Sequence, residues 1–359
     1  LMDAVGMDVS VLGNHEFDYG QAILNDRMSE AGFPFICANV SSDHAILSVP
    51  DPYVVIEKGG FKIAFVGVVE NSSRGGLPLS HPKNMDGLAF EDGANAVANL
   101  SENPDIIGAD LVVALTHYGK EEDRRLIDKA FNGSESFVDL VVGGHNHMLY
   151  NEKYRGIAMI QTGAHMQYMA KLTLSVLSGK VKSYQYELID LSEDHPIDTA
   201  IASQIADFNN RPEFYTTLAI ASHNYNKEET GCFYTTALKE STESELAIQN
   251  YGGIRAQTYS VSVSELKKFF ADHFSMAYSG LHISKVAGQI VIKSQEGGAL
   301  LADSTHIKIA VNDYISNLNP ETFTALIKRY DLTTADYLIS YLKAQEQALD
   351  NQGCNRSID

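Results

Sequence analysis

From residue 9 to about residue 191 the chain alternates short apolar runs with helix-like segments. The runs "VSVL" (Val9–Leu12), "KIAFVGVVE" (Lys62–Glu70), "DLVVALTHYG" (Asp110–Gly119), "VDLVVGGHNH" (Val138–His147) and "AMIQTGAH" (Ala158–His165) open apolar and β-branched. Each then breaks into glycine plus a polar residue, the pattern of a strand reaching the surface. Unbroken apolar runs predict strands buried on both faces, hence a sheet covered by helices. Helices are predicted within "FEDGANAVANLSEN" (Phe90–Asn103) and "GKEEDRRLIDKAFNGS" (Gly119–Ser134), the latter with its acidic residues early. "KLTLSVLSGKVKSYQYELIDL" (Lys171–Leu191) alternates about Ser178-Gly179 and predicts a hairpin that closes a first domain, residues 1–191.

Residues 192–212 follow as an amphipathic linker helix, with Ile201, Ile205 and Phe208 three to four apart and an end at Asn209-Asn210. Residues 213–359 form a second, less regular region, with helices predicted in "SVSELKKFFADHF" (Ser262–Phe274) and "TTADYLISYLKAQEQAL" (Thr333–Leu349). At the other end, Leu1–Val5 reads as the last turn of a helix closed by Gly6. That opening resembles the interior of a domain, so an N-terminally truncated chain is the expectation.

Length fits two domains: 359 residues, 44% hydrophobic and 20% charged. The formal net charge of −19 argues against general affinity for nucleic-acid polymers or anionic membranes. An anionic substrate would therefore need local positive charge, for which metal ions are the natural source. Three widely separated cysteines, Cys37, Cys232 and Cys354, do not make a disulfide framework or a zinc ribbon and say little about compartment. No apolar run reaches the ~20 residues of a membrane span.

Three strand ends carry chemistry: "GNHEFD" (Gly13–Asp18), "THYG" (Thr116–Gly119) and "GGHNH" (Gly143–His147). Loops at the carboxyl ends of neighbouring strands meet along one sheet edge, so ligands distant in sequence can converge there. Asn14, His117, His145 and His147 offer neutral nitrogen and oxygen donors, suited to zinc, manganese or iron rather than calcium. Gly143 and Gly144 would permit close approach beside His145. Asp18 admits two readings, a partner for the His15 imidazole or a cap for a helix beginning near Gln21. A lone histidine after a strand is more often an ordinary surface residue. His44, His81, His165, His195 and His223 lack the strand-end setting and are read that way.

These motifs, in this order, resemble the calcineurin-like metallophosphoesterases. With "NYGGIR" (Asn250–Arg255) the whole chain is similar to the bacterial 5′-nucleotidase family, which includes UDP-sugar hydrolases and cyclic-nucleotide phosphodiesterases. The resemblance implies an α/β fold, a four-layer metallophosphoesterase sandwich of mixed sheets flanked by helices. A smaller α+β substrate-binding domain would follow it. The implied activity is hydrolysis of nucleotide phosphate esters by a water activated between two divalent metals about 3.5–4 Å apart, zinc, manganese or similar. Asn14, His117 and His145 would then bind one metal and His147 would serve the other. His15, oriented by Asp18, would be catalytic. Asn250, Gly253, Arg255, Phe274 and Tyr314 would bind substrate, Phe274 and Tyr314 by stacking on the base. Phe274 reads equally as core.

The family's opening Asp-x-His and its metal-bridging Asp find no counterpart before "GNHE", so this chain is expected to hold at most one metal. "NLNPETF" replaces the family's Gly-Gly-Asp-Gly-Tyr, and Phe233 stands where an arginine is expected. The resemblance further implies a small-molecule nucleotide substrate, a monomer, and a periplasmic or cell-surface location. Other readings stay open: a cyclic-nucleotide, UDP-sugar or sulfur-ester hydrolase on the same site, or a degenerate nucleotide-binding surface protein without activity.

Overall fold

The apolar runs become the interior of a six-stranded sheet, ordered Leu149–Tyr154, Ile157–Thr162, Leu140–Val142, Leu111–His117, Phe61–Val69, Tyr53–Lys58. The four inner strands are mutually parallel, and each outermost strand is antiparallel to its neighbour. The computed structural model describes residues 1–345 except 43, 45, 73–74, 178–179, 193–194, 251–254, 274–275 and 296; of residues 180, 255, 331 and 332 it describes the backbone alone.

Period-two alternation explains the continuous apolar runs. Val112 and Ala114 face one side of the sheet and pack with Val97, Leu126 and Ile127 from the helices Gly93–Ala98 and Lys120–Ala130. Val113 and Leu115 face the other side, against Leu172, Leu174 and Tyr184 of the hairpin Tyr168–Leu177 and Lys180–Asp190. Among the described residues, helices cover one face and the hairpin covers the other, a correction to the expected helical cover. Each fully buried Val or Leu contributes about 1.5–3 kcal/mol, enough that one polar replacement in an inner strand would be severe.

Several boundaries differ from expectation. Leu1–Val5 forms a single turn, closed by the Val5 N–H donating to the Leu1 carbonyl at 3.1 Å, with Gly6 at φ 77°. Phe90–Asn103 divides, because Asn103 caps a second short helix, Pro104–Ile107, through the Asp105 N–H at 2.9 Å. The strand Ser10–Val11 pairs in parallel with Phe35–Ile36, apart from the large sheet.

The chain divides into two compact units, Leu1–Asn209 and Asn210–Asp359, and the amphipathic helix Thr199–Asn209 falls in the first. The second unit holds a five-stranded mixed sheet, ordered Ala277–Ser279, Leu246–Gln249, His306–Asn312, Arg255–Ser262, Ala325–Thr333. The helix Val263–Asp272 packs Leu266, Phe269 and Phe270 onto it and begins with a capping box in which Ser262 and Glu265 satisfy each other's backbone N–H. Phe233 is core, its ring 5.8 Å from that of Tyr341.

Candidate active site

Because the four inner strands run in parallel, their carboxyl ends share one edge of the sheet. Glu70 follows Val69, His117 ends its strand, His145 and His147 follow Val142, and His165 follows Thr162. Asn14 arrives at the same edge from the strand Ser10–Val11: its Oδ1 lies 2.8 Å from Nε2 of His117. The orientation of that amide is set by its other end, since Nδ2 donates to the Leu79 carbonyl at 2.9 Å. His117 and His145 stand edge to face with ring centres 5.1 Å apart.

Gly143 leaves no room for a side chain in this packing, and Gly144 leaves little. A Cβ on Gly143 would lie 2.6 Å from Oδ2 of Asp123, and one on Gly144 would lie 3.3 Å from Nδ1 of His117. Asp123 is fully buried, accepting from Thr116 Oγ1 at 2.7 Å and Tyr150 Oη at 3.0 Å. It therefore ties the helix Lys120–Ala130 to the strand that ends in His117. Burial pushes its carboxyl up to about 6, against the pull of those two hydrogen bonds.

Burial also holds His117 down at about 4, helped by the neighbouring charge of His145 and opposed by Glu70. His145 is lowered for the same first reason, again opposed by Glu70. Near neutral pH both imidazoles thus keep a free lone pair, the state a metal ligand needs.

Glu70 is the residue that sequence reading passed over. It is 2% exposed, accepts from Ser72 N at 2.8 Å and Ser72 Oγ at 2.6 Å, and also accepts from the Leu79 N–H. Its signal was present, since it is the polar residue at which "KIAFVGVV" surfaces, but an acidic residue there lacked the histidine label.

His15 and Asp18 are paired, Nδ1 to Oδ2, at 2.7 Å. The helix Gln21–Glu30 is capped by Gly20 without a side-chain hydrogen bond, so Asp18 is the imidazole's partner and not the cap. Its second oxygen accepts from Ser80 Oγ at 2.8 Å, which fixes the carboxylate. His165, set aside from sequence, stands with its ring centre 5.6 Å from that of His147. Among the other histidines set aside, His81 accepts from the Lys83 N–H at 3.2 Å, and His223 pairs with Glu229 at 3.2 Å.

In the second unit, Asn250 follows the strand Leu246–Gln249 and Asn312 ends the adjacent parallel strand, and Asn312 Nδ2 donates to Asn250 Oδ1 at 2.7 Å. Asn312 also caps the helix Asp313–Leu318, whose first turn carries Tyr314. Ala256 registers against Asn312, placing the Arg255 backbone at the same end of the sheet. Gly253 and Phe274 lie outside the described residues.

The donor set fits a transition metal. An amide oxygen and an imidazole nitrogen 2.8 Å apart match ligands that share one ion, about 3 Å from each other at bond lengths near 2.1 Å. Among the described residues no three His, Cys, Asp or Glu side chains gather into a metal-holding group, so the convergence consists of this amide and paired imidazoles.

No protein-family model matches the chain. Curated relatives do. The chain is similar to the endonuclease YhcR of Bacillus subtilis, 30% identical over 178 residues, which covers 45% of this chain and 14% of that protein. It is also similar to the 5′-nucleotidase of Vibrio parahaemolyticus, 23% identical over 317 residues, 71% of this chain and 55% of the relative. The chain thus spans less than two thirds of either protein. Among solved structures, the 5′-nucleotidase precursor of Thermus thermophilus superposes with a TM-score of 0.76 at 19% identity, covering 98% of this chain and 84% of that one, which establishes a shared fold. In sequence the chain is thus similar to 5′-nucleotidases along part of their length, and in fold it matches one of them along nearly its whole described course.

Proposed function

We propose that the protein hydrolyses nucleotide phosphate esters, releasing phosphate, with a divalent metal bound at the Asn14–His117–His145 edge. The observation that supports this most is the meeting of Asn14 and His117 across the fold, with His145 beside them and His15 held by Asp18. When bound, a divalent metal neutralises phosphate charge and makes water a nucleophile near neutral pH. Asn14 Oδ1 and the neutral imidazoles of His117 and His145 would hold it.

The chain's own groups supply the rest. With Nδ1 engaged by Asp18, Nε2 is the nitrogen of His15 left to meet a substrate oxygen, where it stabilises charge as the ester bond breaks. Asp18, itself fixed by Ser80, holds the ring in that orientation. His147 belongs to the same metal-binding edge, and Asn250, Gly253, Arg255, Phe274 and Tyr314 are assigned to substrate recognition.

Within this reading the protein is a monomer that acts outside the cytoplasm. No helix among the described residues is long and apolar enough to cross a membrane. The test is phosphate release from a panel of nucleoside monophosphates, 2′,3′-cyclic nucleotides, UDP-sugars and a dinucleotide, with manganese or zinc added to metal-free protein. Release that requires metal supports the reading, and the preferred substrate selects between mono- and diester chemistry. No release from any of them would remove it.

A further inference from the structure

We infer that His165 is a metal-ligating residue, joining His147 in a second two-imidazole anchor beside the His117–His145 pair. The inference rests on the metal-dependent reading above and extends it to a residue to which that reading gives no role.

The first observation is geometric. An imidazole bound at ~2.0–2.1 Å puts its ring centre about 3.2 Å from the ion, so two such rings on one ion lie roughly 4.5–5.6 Å apart. His117 and His145 stand at 5.1 Å with 64° between ring planes, and His147 and His165 at 5.6 Å with 67°. The second pair repeats the first one strand further along the sheet.

The second observation is backbone strain. Seven described non-glycine residues have positive φ, and four of them sit at this edge: His145 at 78°, His147 at 58°, His165 at 58° and Met166 at 52°. A left-handed non-glycine residue is uncommon, strains the backbone, and concentrates at functional sites. Here the strain turns three histidines at one sheet edge.

The third observation is that the two loops are fastened together. The Gly163 N–H donates to the Met148 carbonyl at 2.9 Å, the Met148 N–H donates to Gln161 Oε1 at 3.2 Å, and Leu149 registers against Thr162. His147 and His165 therefore hang from one hydrogen-bonded frame, which holds their separation without a bound ion. Both side chains are solvent-exposed, so the anchor would leave further coordination positions to water or phosphate oxygens.

The experiment is titration of metal-free protein with Co²⁺, followed by calorimetry and by the visible absorption of the bound ion. The variants are His165→Phe, which keeps an aromatic edge contact without a nitrogen, and His165→Asn, which tolerates the left-handed backbone. His147→Ala and His117→Ala are run beside them, with thermal unfolding of each metal-free protein as a check on folding. Wild type should show two classes of site. Both His165 variants should weaken, at least tenfold, the class that His147→Ala weakens, and spare the class that His117→Ala removes. Wild-type titration by His165→Phe and His165→Asn, with His117→Ala still impaired, would overturn the inference alone and leave His165 as a packing neighbour. Unchanged binding in His117→Ala as well, or no cobalt bound by wild type, would overturn the metal-dependent reading and this inference with it.

Discussion

Nε2 of His117 lies 2.8 Å from Oδ1 of Asn14, although 103 positions separate them in the chain. The distance suits a shared cation, and the Leu79 carbonyl, by engaging Nδ2, keeps the oxygen of the amide turned inward. Replacing Asn14 by Ala should therefore weaken manganese or zinc binding at least tenfold, and should destabilise the fold by about 1 kcal/mol through the lost hydrogen bond. Calorimetric metal titration and urea unfolding read the two effects separately. Unchanged metal affinity would show that Asn14 merely staples the loop at Leu79.

His15→Ala should lower kcat for the preferred ester about 10²–10³-fold, the usual loss for a preorganised electrostatic donor. Metal content should stay at the wild-type level. Asp18→Asn should produce a smaller loss of the same kind, since the ring would remain but lose its orienting carboxylate. A His15→Ala protein that regains activity in excess manganese would assign His15 to the metal instead.

The meeting of these side chains was readable because strand ends leave a compositional mark: an apolar run that breaks into glycine and histidine locates the sheet edge where Asn14, His117 and His145 come together. The inner strands at Lys62–Glu70 and Asp110–Gly119 needed nothing more. His165 escaped because its run, "AMIQTGAH", places the histidine three residues beyond Thr162, and only parallel pairing with Leu140–Val142 brings that end beside His147. Glu70 escaped for another reason: a carboxylate at a strand end reads as a solvated residue until its burial is seen. The hairpin itself was plain from alternation, but sequence periodicity cannot say that it covers the sheet face opposite the helices.

Asp123 offers a pH test of the scaffold. Its folded value, about 6, lies above the ordinary 3.8, so between them the native protein retains a proton that the unfolded chain has lost. Stability from this group is fully present below pH ~3.8 and is lost as pH rises through ~6. Asp123→Asn removes the titration. The stability of wild type minus that of the variant should fall by on the order of 2–3 kcal/mol from about pH 4 to about pH 7. Urea midpoints across that range give the difference; a flat difference would mean that Asp123 is ionised in the native state throughout.

Gly143→Ala places a methyl 2.6 Å from Oδ2 of Asp123 and 2.9 Å from the Tyr150 hydroxyl. Overpacking of this kind costs about 1–3 kcal/mol. Because the same backbone leads into His145, metal affinity should fall together with stability. Gly133→Ala, whose added Cβ would meet nothing within 4 Å, is the control for glycine loss alone, with its φ of 69° adding local strain only. Equal metal affinity in the two variants would separate Gly143 from the site.

The most direct test is phosphate release by metal-free protein and its His117→Ala variant, each assayed on the preferred nucleotide before and after manganese is restored. Manganese should switch on release in the parent protein, while the variant, at equal concentration and with an intact unfolding transition, should stay at least 10²-fold below it. Release that proceeds without metal, or that His117→Ala leaves intact, would contradict a metal-dependent esterase built on this edge of the sheet.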